Sequence, residues 1–341
     1  MKIAVLGCGA IGGLFLGYLS RTYPDTFGVV KDYQLKSFNS EGVIVEGVRG
    51  KTSRKVLTGS RLKEDCDIAI FATKINDLEE CIQDNLGFIK HSFILTTQNG
   101  IEADYMLSRF FPAERIITAV VMLGATFYPP NKITHNFEGS LALGNIFGAF
   151  PEGARVVSET LKPVFETSVF ENIKGAKYLK LLINLNNCLP AALGLSMQEA
   201  FCDIEIAKLA ILLNKEAYRV IRESGIELVS LPAYPRERIE KLVGLETVKA
   251  AEIFSGVMTS LSKQPLYGSI FQSIKRKKKS EIDYINGQIV KLASEHNLDA
   301  PLNRRIVELI HAIEAGRDFI NKKDLFSFLE PAIIESGRFY G

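Results

Sequence analysis

The chain lacks most of what would tie it to a nucleic acid, a metal or a membrane. Its 41 basic and 39 acidic residues leave a formal net charge of +2, so no whole-chain field draws in nucleic acid or a membrane surface. Only KRKKK, Lys275 to Lys279, is locally basic; it reads as a solvated loop or as an attractor for an anionic substrate or cofactor. Five cysteines (Cys8, Cys66, Cys81, Cys188 and Cys202) are scattered without a C-x-x-C pair, which argues for reduced thiols and a cytosolic setting. The four histidines, His91, His135, His296 and His311, show no ligand spacing with each other or with cysteine, so no metal is expected. No apolar run approaches the roughly 18 residues of a membrane span, and the N-terminus lacks a signal peptide's small-residue cleavage site. Internal repeats and low-complexity tracts are missing too.

What is present is a full core. Of 341 residues, 47% are hydrophobic and 23% charged, enough chain for about two domains at roughly 150 residues each. In the first half, strand candidates alternate with helical stretches: KIAVLG, FGVV, CDIAIFAT (66–73), SFILTTQ (92–98) and RIITAVVML (115–123). Continuous aliphatic runs of this kind suit parallel strands buried on both faces. ITHNFEG and SLALGNIF, near residues 133–147, read as a closing antiparallel pair. From about Lys174 the periodicity changes to 3.6 and strand signals disappear. The expected fold is α/β: a Rossmann-type doubly wound sheet over residues 1–172, then an all-α domain over 173–341.

GCGAIG, comprising Gly7, Cys8, Gly9, Ala10, Ile11 and Gly12, fits G-x-G-x-x-G directly behind the first strand. In that position Gly7 permits a tight turn, Gly9 lets backbone approach a pyrophosphate and Gly12 permits close helix packing. The alternative is an ordinary turn. The second strand is followed by Lys31 and then Asp32. A lysine pairs with a 2′-phosphate where a carboxylate repels it, so Lys31 favours NADP (NADPH), while Asp32 keeps NAD open. Lys74, ending FATK, and Asn99, in TTQNG, fall at carboxyl ends of expected parallel strands, where ligands of open α/β sheets bind. Lys74 suits anionic groups and Asn99 an amide near a nicotinamide; either serves equally well as a polar helix starter.

In KYLKLLINLNNCLPAALG, Lys180, Asn184 and Cys188 recur at i, i+4 and i+8 and share one helix face, with Asn187 beside it. A lysine and an asparagine set among leucines make sense facing a cleft that holds an anion; an exposed capped face is the alternative. Ser269 precedes the basic run, and Glu281 falls in the first turn of the following helix behind Ser280 as N-cap, a placement favourable in itself.

GCGAIGG, FATK, TTQNGIE, the ITHNFEG–SLALG pair, the K-L-L-I-N helix and SEIDYING-(x)13-PLNR occur in the order found in ketopantoate reductases, and the chain resembles that family over nearly its whole length. The resemblance implies an NADPH-dependent oxidoreductase that reduces ketopantoate (2-dehydropantoate) to (R)-pantoate in pantothenate biosynthesis. By it, Lys180 matches the catalytic general acid and Glu281 its partner carboxylate, which contacts substrate. Asn184 and Ser269 match substrate-contacting positions. Asn99 matches the asparagine near nicotinamide and substrate, and Lys74 the cofactor-side lysine. Lys31 stands where many members place an arginine for the 2′-phosphate. One departure stands out: members often carry a second substrate asparagine one turn beyond Asn184, where this chain has Cys188, a poor replacement for an amide. The alternatives are therefore a related reductase of another 2-keto acid or ketone, and a non-catalytic NADP-binding sensor. The implied partner is a small-molecule 2-keto acid, without nucleic acid or membrane, and paired helical domains make a homodimer reasonable.

Overall fold

A computed structural model describes residues 1–148, 150–262 and 264–337. The chain divides into two compact units, residues 1–176 with 231–233, and residues 177–230 with those from 234 onward. Helix Ile173–Asn184 carries the chain from the first into the second.

Among the described residues the first unit holds twelve strands: β1 (Ile3–Leu6), β2 (Phe27–Val29), β3 (Val43–Gly47), β4 (Thr52–Arg54), β5 (Leu57–Gly59), β6 (Ile68–Phe71), β7 (Phe93–Thr96), β8 (Ile116–Val121), β9 (Gly124–Tyr128), β10 (Lys132–Phe137), β11 (Leu141–Gly144) and β12 (Thr167–Val169). Eight form one sheet in the order β12-β11-β8-β7-β6-β1-β2-β5. From β5 to β8 all neighbours are parallel, and β11 joins β8 antiparallel. This is the doubly wound arrangement, with the strand order reversing at β1 and β6. IAVL of β1 and IAIF of β6 are buried at every position, as central parallel strands require.

A second sheet, β4-β3-β10-β9, is the part of the fold that the apolar pattern did not announce. Its strands are short and carry polar residues, as in THNF and TSR. It corrects the expected pairing near residues 133–147: β10 pairs with β9 and β3, whereas β11 pairs with β8 and β12 in the large sheet. Helix Ala10–Thr22 packs against β1 of the large sheet and β3, β9 and β10 of the small one, which explains its burial nearly all round. Gly13 and Gly17 admit the small sheet: a Cβ on either would lie 2.5 Å from Ile133 or 2.6 Å from Val45.

The second unit is helical. Its longest helix among the described residues, Ile204–Glu223, buries Ile206, Leu209, Leu213, Ala217 and Val220 at helical spacing. Buried Glu216 on that helix accepts from the Leu302 (3.0 Å) and Asn303 (2.8 Å) amides, from Asn303 Nδ2 (2.9 Å) and from Ser336 Oγ (3.1 Å). It thereby caps helix Pro301–Glu314, whose own N-cap residue, Ala300, has no side chain to do so. Among the described residues no helix is long and apolar enough to cross a membrane.

Candidate active site

In the first unit, register brings the sequence-expected nucleotide residues to one edge. Leu6 is paired with both Val29 and Phe71, and Phe71 with Thr96, so β1, β2, β6 and β7 end level. The segments leaving those ends carry the glycine turn, Lys31, Lys74 and Asn99. Gln98 braces two of the ends, donating its amide to Phe71 O (3.2 Å) and Thr73 O (2.9 Å).

The glycine turn is shaped by close approach. Gly7 has φ +92°, and a Cβ there would lie 2.6–2.8 Å from Thr73. On Gly12 a Cβ would lie 2.0 Å from Gly7 O, so the helix can start this near the strand only without a side chain. Gly9 differs: nothing lies within 4 Å of the Cβ it lacks. Gly9 is also the N-cap of helix Ala10–Thr22, where no side chain caps the end and no acidic residue occupies the first turn. Open space before an uncapped helix N-terminus fits a pyrophosphate, whose oxygens the first-turn amides would hold. Ala10 and Ile11 provide two of those amides. Cys8 contributes backbone only; its thiol is buried in the core, donates to Val5 O (3.7 Å) and is pushed up by desolvation.

Lys31 is the N-cap of helix Asp32–Glu41, its amide donating to Gln34 Oε1 (3.0 Å). Its ammonium is exposed and lies 2.9 Å from Asp77 Oδ2, which raises its pKa. Lys74 is half-buried as the N-cap of the 3-10 turn Ile75–Asp77, and Asn99 is half-buried before Gly100, φ +71°. Asp77 is the member of this group that the sequence reading missed. As an acidic residue opening a helical segment it carried no signal of its own.

In the second unit, the expected single helix after Lys177 is interrupted. Helix Ile173–Asn184 passes into a 3-10 turn, Leu185–Asn187, and then into helix Cys188–Leu193. Residues three apart eclipse in a 3-10 turn, so the face carried by Lys180 and Asn184 continues at position 187 and not at 188. Burial follows that shift. Lys180, Ile183, Asn184 and Asn187 are half-buried, whereas the residues between them are buried. Cys188 is fully buried; its thiol donates to Leu185 O (3.1 Å) and desolvation pushes it up to about 12. This corrects the expected Lys180–Asn184–Cys188 face, because the 3-10 turn tightens the helix by part of a turn.

Asn187 lies beneath the loop that precedes Ser269. A Cβ on Gly268 would be 3.2 Å from Asn187 Cβ and Cγ, and exposed Ser269 opens helix Ser269–Lys275 directly after it. Asn187 and Ser269 are thus neighbours, which their 82-residue separation hid. Lys180 has its pKa lowered by desolvation to about 8. Glu281 is half-buried and is placed differently from expectation: it precedes a 3-10 turn, Ile282–Tyr284, and helix Asn286–Glu295 starts only after that. Ser280 Oγ does accept from the Ile282 amide (3.3 Å), while its own amide donates to Glu314 (2.7 Å). Residues Lys275 to Lys279 are exposed, with Lys275 closing its helix over the Phe271 and Phe319 rings.

Comparison with known proteins covers both units. The family model of ketopantoate reductase PanE/ApbA matches residues 3–148, and that of its C-terminal part matches residues 172–314. The 2-dehydropantoate 2-reductase of Pyrococcus abyssi is 28% identical over 321 residues, covering 92% of this chain and 98% of its own. A ternary structure of D-mandelate dehydrogenase with NADH and anilino(oxo)acetate is similar with a TM-score of 0.79 at 24% identity, over 92% of this chain and 99% of that one. The PanE/ApbA family ketopantoate reductase from Ralstonia eutropha gives 0.76 at 22% identity, over 92% and 99%.

Proposed function

The chain belongs to the ketopantoate reductase family, a family of oxidoreductases, and on that premise we propose that it reduces a 2-keto acid to the 2-hydroxy acid with NADPH, ketopantoate to (R)-pantoate first. The observation that carries this reading is the state of Lys180: a desolvated ammonium with a pKa near 8, half-buried on the helix face that also carries Ile183 and Asn184, between the buried Leu179 and Leu181. Such a group is still protonated at neutral pH yet gives up its proton readily, as a general acid must.

When bound, a nicotinamide cofactor supplies hydride to the keto carbon. The carbonyl π electrons move to oxygen, and Lys180 Nζ donates its proton there, so that no free alkoxide accumulates. The neutral amine regains a proton from solvent. Asn184 and Asn187, on the same face, offer amide groups for the substrate carboxylate or hydroxyl, and Ser269 adds a hydroxyl beside Asn187. Glu281 is assigned as the substrate-contacting carboxylate. In the first unit, the glycine turn and the amides of Ala10 and Ile11 take the pyrophosphate. Lys31 takes the 2′-phosphate, Lys74 other anionic groups, and Asn99 the nicotinamide end.

A second reading, reduction of a different 2-keto acid, is favoured by one feature: the second amide comes from position 187, which places it differently from one at position 188. A panel of 2-keto acids tested for NADPH and NADH oxidation decides between the two. Ketopantoate as best substrate supports the first reading; a clear preference for another keto acid supports the second. Nucleotide binding without turnover of any panel member refutes both.

A further inference from the structure

Lys31, the residue that favours NADPH, is paired. Its Nζ lies 2.9 Å from Asp77 Oδ2, and both side chains are exposed. Lys31 follows β2 and Asp77 follows β6, the two strands that flank β1, so the pair joins the turns on either side of the glycine turn. Two carboxylates act on the lysine: Asp77 first, through the hydrogen bond, and Glu80 more weakly, both raising its pKa.

We propose that Asp77 is a specificity-determining residue of the nucleotide site, holding Lys31 in a pair that admits NADH as well as NADPH. This rests on reading the glycine turn as a nicotinamide dinucleotide site. A 2′-phosphate drawn to Lys31 has to displace the Asp77 carboxylate and then sit beside it. An exposed ion pair is weak, so displacement costs little and NADPH still binds. The repulsion persists: a phosphate dianion about 6 Å from a carboxylate in water loses affinity by about tenfold. NADH, with a 2′-hydroxyl instead, meets the opposite situation. That hydroxyl donates to a carboxylate, the role that an acidic residue plays in NAD sites. Asp77 thus weakens one cofactor and serves the other, and Lys31 does the reverse.

Isothermal titration of NADPH and NADH into wild-type protein, Asp77→Asn and Asp77→Ser tests this without relying on turnover. We expect the wild type to bind both cofactors within about tenfold of each other, and both variants to raise the NADPH-over-NADH affinity ratio by about tenfold. The gain should shrink at high salt, because the groups are exposed. A ratio unchanged in both variants, or equal tightening of both cofactors, overturns the proposal while leaving the reductase reading intact. Failure of the wild type to bind either nucleotide overturns the reductase reading, and the proposal with it.

Discussion

Replacing Asn187 and Cys188 in turn separates the geometry of this chain from the one its helical spacing suggests. Asn187 lies on the open side of the Leu185–Asn187 turn, against Gly268 and next to Ser269. Its amide is assigned to the substrate, whose carboxylate makes the hydrogen bond charge-assisted. A bond of that kind contributes about 1.5–3 kcal/mol, so Asn187→Ala should lower kcat/KM for the keto acid by roughly 10- to 100-fold. Cys188 faces the other way. Its thiol is wholly buried and bonded to Leu185 O and to the Asn286 side chain, so Cys188→Ala removes packing and weak thiol hydrogen bonds. That costs roughly 1 kcal/mol of stability and should move kcat/KM by less than about twofold. Steady-state kinetics with varied keto acid, beside urea denaturation of both variants, reads the two effects separately. A KM that rises in Cys188→Ala while Asn187→Ala retains wild-type kinetics would refute the register argument.

Two further outcomes follow from buried charge. Burial lowers Lys180 to about 8, so kcat/KM for keto-acid reduction should be level below that pH and fall as pH rises through it, while oxidation of the hydroxy acid rises over the same interval. The stability sign agrees: an unfolded lysine keeps its proton to its ordinary, higher pKa, so between pH 8 and that value the unfolded chain holds more protons and folding gains with pH. A reduction profile flat from pH 7 to 10 would contradict the assignment. Glu216→Ala should cost roughly 3 kcal/mol, because it strips the Leu302 and Asn303 amides and Ser336 of their shared acceptor. Chemical denaturation checks this, and a loss below about 1 kcal/mol would show that water replaces the cap.

Much of the large sheet was legible, because buried parallel strands announce themselves as unbroken aliphatic runs such as IAVL and IAIF. The small sheet was not. THNF and TSR are half-exposed pieces whose partners are distant in sequence, and pairing of β10 with β3 leaves no local signal. At the site, Lys180 stood out as a charge among leucines, and the glycine turn as a motif behind a strand. Asn187 was harder to place, because straight helical spacing points to position 188; only the 3-10 turn moves the face. Asp77 was invisible for a different reason: its partner, Lys31, is 46 residues away and reaches it through strand order alone.

The central claim is that Lys180 delivers the proton that completes keto-acid reduction. Its most direct test is turnover by Lys180→Ala at saturating NADPH with the best substrate of the wild type, with nucleotide binding measured on the same sample. The account predicts a fall in kcat of roughly 10²-fold or more with binding of NADPH retained. Turnover at the wild-type rate in that variant would contradict it.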